Sequence, residues 1–181
     1  ITVVANSYVV PISTSLRLTA SATDADEDNV LSYCWEQMNS TPAPMPPVPT
    51  NTAGPAFRSI SPTPSPTRYL PNINAVIAGS TPEWEVIPSV SREMDWRCTI
   101  RDNNIGGGCT TEADVALTFT DSAGPFLVEA PNTSNVIWRA GGIETVEWDV
   151  ANTDVAPVNS QTVDILLSSD GGLTYPDVLA T

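Results

Sequence analysis

Residues 16–37 constrain the fold more than any other stretch of this chain. Leu16, Leu18, Ala20 and Ala22 alternate with other residues, Asp24, Asp26, Glu27 and Asp28 follow, and a second run places Leu31, Tyr33 and Trp35 on one face. A period of two is the mark of a strand with one buried side. Strand, acidic turn and strand with a central Trp is a β-sandwich opening, the aromatic being the core residue of the third strand.

The remaining sequence continues in the same idiom. Thr2–Val10 reads as a first strand ended by Pro11. From Asn39 to Pro71 the chain is dense in Pro, which lacks the donor that a ladder needs, so central sheet is excluded there. Asn72–Ala78 is predicted as one short helix, with Asn72 as N-cap and Gly79 past the end. Trp84–Ile87, Asp95–Arg101 and Thr111–Thr120 read as strands, and Asn103–Gly108 as the hairpin loop between the last two. Phe57, Arg58, Arg68 and Tyr69 are expected to pin the Pro-rich insertion, 39–82, to the sandwich.

The pattern restarts after Asp121–Pro125, which reads as a linker. Strands are expected at Phe126–Ala130, Asn135–Arg139, Thr145–Val150 and Thr162–Ser168, with a tight turn at Asp170-Gly171-Gly172. The fold class is therefore all-β: an immunoglobulin/cadherin-like sandwich over 1–121, then a second β-sandwich module over 122–181. That module holds fewer than the about seven strands of a sandwich, so it is expected to be truncated within this sequence.

Charge and composition exclude several function classes. Twenty-one acids against seven bases give a net charge of −14, which repels phosphate backbones and anionic lipid, so neither nucleic acid nor membrane is an expected partner. No apolar run approaches the roughly 20 residues of a membrane-spanning helix. The chain has no His, which removes Ser-His-Asp and Cys-His machinery and the HExxH zinc site. No organic cofactor is implied. Carboxylate pairs such as Glu83/Glu85 and Glu144/Glu147 resemble a glycosidase pair in type but read as strand-surface acids.

Two constellations carry candidate chemistry. Asp24, Asp26 and Asp28 stand at i, i+2 and i+4, the oxygen-rich spacing that suits Ca2+. In a Greek-key sandwich this loop shares an end with the hairpin loop, so Asp102, with Asn103 and Asn104 beside it, is expected to complete the shell; the alternative is a solvated acidic turn. Cys98 and Cys109 stand symmetrically about Asn103/Asn104, which predicts a disulfide across the hairpin contributing about 3 kcal/mol, with Cys34 as the odd thiol. Three reduced, buried cysteines are the alternative. A bridge would fit a secreted or cell-surface protein.

Ser21-Ala-Thr-Asp-Ala-Asp-Glu-Asp, Tyr33-Cys-Trp-Glu-Gln and Arg101-Asp-Asn-Asn resemble the cadherin-like and PKD-like modules of bacterial exported proteins. Gly54-Pro-Ala-Phe-Arg-Ser-Ile-Ser-Pro, Trp84-Glu-Val-Ile-Pro-Ser-Val, Val146-Glu-Trp-Asp-Val-Ala and Leu167-Ser-Ser-Asp-Gly-Gly-Leu-Thr-Tyr-Pro are similar to the region downstream of the catalytic domain in secreted, reprolysin-like zinc metallopeptidases. Glu27 departs from the Asp-x-Asp-Gly-Asp form usual in such loops. The resemblance implies a non-catalytic accessory region that positions an upstream catalytic domain of the same chain, or binds a protein or glycan ligand. The rival from another class is a carbohydrate-binding module, which needs two or three coplanar exposed aromatics.

Overall fold

The computed structural model describes residues 7–25, 30–105, 107–139 and 141–181. In chain order the elements are β1 (Ser7–Pro11), β2 (Leu16–Thr19), β3 (Ser32–Gln37), β4 (Thr67–Leu70), α1 (Ile73–Ile77), β5 (Arg92–Arg101) and β6 (Thr110–Thr120). Four short strands follow: β7 (Leu127–Ala130), β8 (Glu147–Asp149), β9 (Ile165–Leu167) and β10 (Asp177–Ala180).

One sheet has the order β1-β6-β5-β3, with β1 parallel to β6 and the other pairs antiparallel; β2 pairs with β4 in a second sheet. This is the strand partition of an immunoglobulin-type sandwich, in which the second and fifth strands face the third, sixth and seventh. The alternation in the sequence sets the two faces. Met94, Trp96, Cys98 and Ile100 of β5 and Val115, Leu117 and Phe119 of β6 point inward, where they meet Leu18 of β2, Trp35 of β3 and Leu70 of β4. Glu93, Asp95, Arg101, Glu112 and Asp114 stay exposed on the opposite face. Burying a side chain of this size contributes roughly 1.5–3 kcal/mol, and this cluster holds the sandwich.

The Pro-rich insertion is built into the sandwich rather than draped over it. Phe57 is buried and meets Trp96 edge to face, with ring centroids 5.3 Å apart. Gln37 Oε1 accepts from the amides of Ala56 (2.7 Å) and Phe57 (3.0 Å), while Arg92 donates to the carbonyls of Asn51 (3.0 Å) and Gly54 (2.6 Å). A chain rich in Pro has few donors to offer a ladder, so side chains of the sheet satisfy its carbonyls and its remaining amides instead. The expected pins Phe57 and Arg68 are both buried, whereas Arg58 is exposed and enters through its carbonyl, which accepts from Arg68 at 2.8 Å. Thr67–Leu70, inside the stretch where central sheet was excluded, forms the outer strand of a two-stranded pair, a position compatible with Pro66 just before it.

Asn72 caps α1 as expected, its Oδ1 accepting from Ala75 N at 3.1 Å, and Gly79 follows at φ 59°. The first strand is seen as Ser7–Pro11; its expected start at Thr2 lies outside the described residues. Trp84–Ile87 reduces to a single bridge between Phe57 and Glu85. Beyond Pro125 the hairpins β7–β8 and β9–β10 form, but Asn135–Arg139 is not a strand, and Asp177–Ala180, which the sequence pattern did not mark, is one.

Candidate acidic cleft at the loop end of the sandwich

The β2–β3 connection and the β5–β6 loop meet at one end of the first sandwich, as the Greek-key argument requires. A cleft of about 340 Å3 is lined there by Thr23, Asp24, Leu31, Asp102, Asn104 and Cys109. Asp24 and Asp102 are thus brought to one hollow. Asp26, Glu27 and Asp28 lie outside the described residues. Among the described residues no group of three acidic, Cys or His side chains gathers tightly enough to hold a metal.

Asp102 already has structural work. Its Oδ2 accepts from Cys109 N (2.8 Å) and its Oδ1 from Asn104 N (3.2 Å), closing the loop on itself. Asn103 adopts φ 57°, a left-handed conformation that Asn tolerates better than most residues. Its Nδ2 donates to Val30 O (2.7 Å) and lies 3.1 Å from Ser32 Oγ, tying the loop to the start of β3. Asn103 is therefore a brace between the two loops, a role the spacing did not reveal. Two carboxylates fall well short of the 6–8 oxygens that Ca2+ takes, so a complete shell needs ligands from 26–28, backbone carbonyls or water.

The disulfide expected between Cys98 and Cys109 is not formed: all three cysteines are free. The reason is register. Cys98 stands across from Ala113 and Arg101 across from Thr110, so the hairpin turns nearer Ile105 than the Asn103/Asn104 centre assumed from the sequence. Cys109 is carried to the loop, where its carbonyl accepts from Asp102 N at 3.4 Å. At about 3.3 Å per strand residue the two cysteines are then roughly 13 Å apart along the ladder, beyond the ~7 Å a bridge spans between Cα atoms. Cys98 points into the core, where burial pushes its thiol up to about 11. Cys34 faces the other way, as its parity implied, and its thiol donates to Ile60 O at 3.5 Å; burial first and Glu36 second raise it.

The candidate carboxylate pairs resolve into structure. Glu85 is buried against Arg68, with side-chain exposures of 8% and 3% and an N–O distance of 3.3 Å. Its other oxygen accepts from Asn72 N (2.8 Å) and Asn72 Nδ2 (2.7 Å), while Glu83 is exposed. Arg68 also donates to Trp35 O and lies 5.3 Å above the Trp96 ring. Burial lowers the pKa of Arg68 and Glu85 opposes that shift. Glu144 and Glu147 are both exposed. Of the exposed aromatics, Tyr8 and Trp138 line different hollows.

Comparison with protein-family models, with curated proteins and with solved structures finds no match to this chain.

Proposed function

We propose that residues 1–181 are a non-catalytic accessory region of an exported, reprolysin-like zinc metallopeptidase, whose work is to hold the catalytic domain in a fixed relation to substrate or surface. The secreted or cell-surface location, the upstream catalytic partner and the assignment to this class rest on the sequence resemblance. The observation that carries the positioning role is the junction between the first sandwich and the C-terminal hairpins.

That junction is knitted from both sides. Ile12 N donates to Ala123 O (3.1 Å), Phe126 N to Thr14 Oγ1 (3.0 Å), Gly124 N to Ala151 O (2.9 Å) and Asn152 Nδ2 to Ser122 O (3.4 Å). Gly124 has φ 97°, and a Cβ there would sit 2.3 Å from Ile12 O, so the backbones approach as closely as Gly alone permits. Ala123 is buried. A flexible tether needs none of this; a strut does.

Calcium belongs to the same proposal. Asp24 and Asp102 share the cleft, and Asp26 and Asp28 are the remaining acidic ligands of a site that would stiffen the end of the sandwich facing away from the hairpins. The deciding experiment is to determine the reading frame that encodes Ile1. An HExxH-bearing domain upstream in the same polypeptide is expected, and its absence overturns the peptidase assignment. Hydrolysis of casein by purified 1–181 would overturn the non-catalytic role.

A further inference from the structure

A hollow of about 610 Å3 opens between the β1–β2 turn, the Pro-rich insertion, α1 and the segment leading into β5. That volume is in the range of small-molecule sites. Its wall carries Ser13, Ser15, Thr50, Ser80, Thr81 and Ser89. Ser80 Oγ donates to Ala75 O at 3.5 Å, while the hydroxyls of the other five, four of them on exposed residues, have no partner among the described residues and are open to solvent or to a ligand. We propose that this hollow binds an uncharged polyhydroxylated ligand, a neutral pyranose sugar, through those five hydroxyls. The proposal is independent of the accessory role argued above.

The chemistry selects the ligand class. In a chain of net charge −14, the only charged side chain lining the hollow among the described residues is Glu85, and it is paired with Arg68 and Asn72. No basic group lines it, so an anion has no counter-charge. One carboxylate already held by a guanidinium is no cation site. What remains is a set of hydroxyls, each able to donate one hydrogen bond and accept two, which matches the mixed donor and acceptor edge of a sugar. The wall holds no aromatic, so this is not the stacking platform of a carbohydrate-binding module; Pro49, Pro71, Val76 and Ile87 supply the apolar wall for the C–H faces of the ring, and recognition rests on hydrogen bonds.

The walls are also fixed before any ligand arrives. Ser13 N donates to Pro88 O and Ser89 N to Pro49 O, both at 2.8 Å, which locks the turn, the insertion and the segment before β5 together. Ser13 itself sits at φ 54°, a left-handed conformation that costs a non-Gly residue strain and recurs at ligand sites. Rigid walls lower the ordering cost of binding.

The test is 15N–1H shift mapping of residues 1–181 with methyl glucoside, methyl galactoside, N-acetylglucosamine and their β-linked oligosaccharides, up to about 50 mM. Saturable shifts confined to the amides of Ser13, Ser15, Thr50, Thr81 and Ser89 are expected for at least one neutral sugar. Glucuronate should bind at least about tenfold more weakly than its neutral counterpart. Thr50→Val with Thr81→Val keeps shape while removing two hydroxyls and should weaken binding about tenfold; Ser13→Ala with Ser89→Ala replaces it if that variant loses its dispersed spectrum. Affinity rising with oligosaccharide length assigns the hollow to a glycan chain, and constant affinity to a single pyranose. Linear, unsaturable shifts, shifts centred on the hollow that Trp138 lines, or affinity unchanged in both double variants would overturn the proposal.

Discussion

Replacing Arg68 by Met should be among the most damaging single changes on the surface-to-core boundary of the first sandwich. The guanidinium donates to Trp35 O at 2.5 Å, to Arg58 O at 2.8 Å and to Glu85 Oε1 at 3.3 Å, and it covers the face of Trp96. Met fills much of the volume but supplies no donor. Removing one partner of a buried ion pair costs about 3–5 kcal/mol. Glu85 keeps two donors from Asn72, which favours the low end of that range. The two carbonyls left without a partner push the other way, at roughly 1–3 kcal/mol for each that stays dry. The expectation is a loss of about 4 kcal/mol, a large share of the stability of a domain this size.

Urea unfolding followed by Trp fluorescence reads the change directly, because Trp96 lies beneath the guanidinium. With a slope of about 2 kcal/mol per molar urea, the midpoint should fall by about 2 M. Glu85→Gln keeps one acceptor oxygen, enough for Asn72 or for Arg68 but not for both, and turns an NH2 donor on the other, so it should cost about 1–3 kcal/mol. In the double variant the two losses should be less than additive by at least about 1 kcal/mol. A midpoint for Arg68→Met within about 0.5 M of the parent chain, or strict additivity in the cycle, would refute the view that this pair anchors the insertion.

Gly124→Ala forces a Cβ to within 2.3 Å of Ile12 O at φ 97°, so the thermal midpoint should drop by the equivalent of about 3 kcal/mol and small-angle scattering should report a broader distribution of shapes. Cysteine accessibility gives a second check: under native conditions Cys109 alone should react promptly with a thiol reagent, while Cys34 and Cys98 respond only on unfolding. For calcium, calorimetry at millimolar Ca2+ should show heat and a raised melting temperature, both abolished by Asp24→Asn with Asp102→Asn; no heat leaves a solvated acidic turn. At Asp170 the hydroxyl and amide of Thr174, then Ser168 and Leu173, hold the carboxyl down at about 2. The folded value lies below the ordinary carboxylate value near 3.9, so the contribution of that turn is complete above this range and fades as pH falls through about 2. The Thr174 amide shift should titrate there, and Asp170→Asn should remove the titration.

The parts of the fold that were legible in the sequence are those where periodicity and burial coincide. Trp96, Cys98 and Ile100 alternate with polar residues in the expected strand Asp95–Arg101 and share its buried face, which the structure extends back to Met94, and Asn72 caps the helix it was expected to cap. Loop geometry was harder. Symmetry about Asn103/Asn104 suggested one hairpin centre, but Asp102 captures the Cys109 amide and keeps the loop long, and the cysteine pairing fails with it. Composition cannot register such a side-chain capture, because Asp in a turn is ordinary. The Arg68–Glu85 pair was also missed. Arg68 was expected to pin the insertion, but Glu85 reads as a surface acid of the strand Trp84–Ile87, and the burial of both depends on the insertion folding back over them. A buried Arg two residues after one Pro and three before another carries no local signal of depth.

The C-terminal hairpins follow a different logic from the first sandwich. In β9 and β10 the neighbouring pairs Leu166/Leu167 and Val178/Leu179 point to opposite faces of their strands, yet all four are substantially exposed. Strands that are apolar on both faces suit the interior of a larger layered structure rather than an edge. Isolated two-stranded hairpins are marginal in water, and beyond Ala123 the described residues bury almost no apolar side chain completely. Their order must therefore come from what they touch. The hydrogen bonds of Gly124, Phe126 and Asn152 supply part of it, and the close approach of Ile77 to Gly172, where an added Cβ would lie 3.0 Å from Ile77 Cγ1, supplies more. The junction that fixes orientation thus also holds the hairpins in place. Loosening it should release them before the sandwich core around Trp96 opens, so amides of β9 and β10 should exchange faster in Gly124→Ala while those of β5 and β6 stay protected.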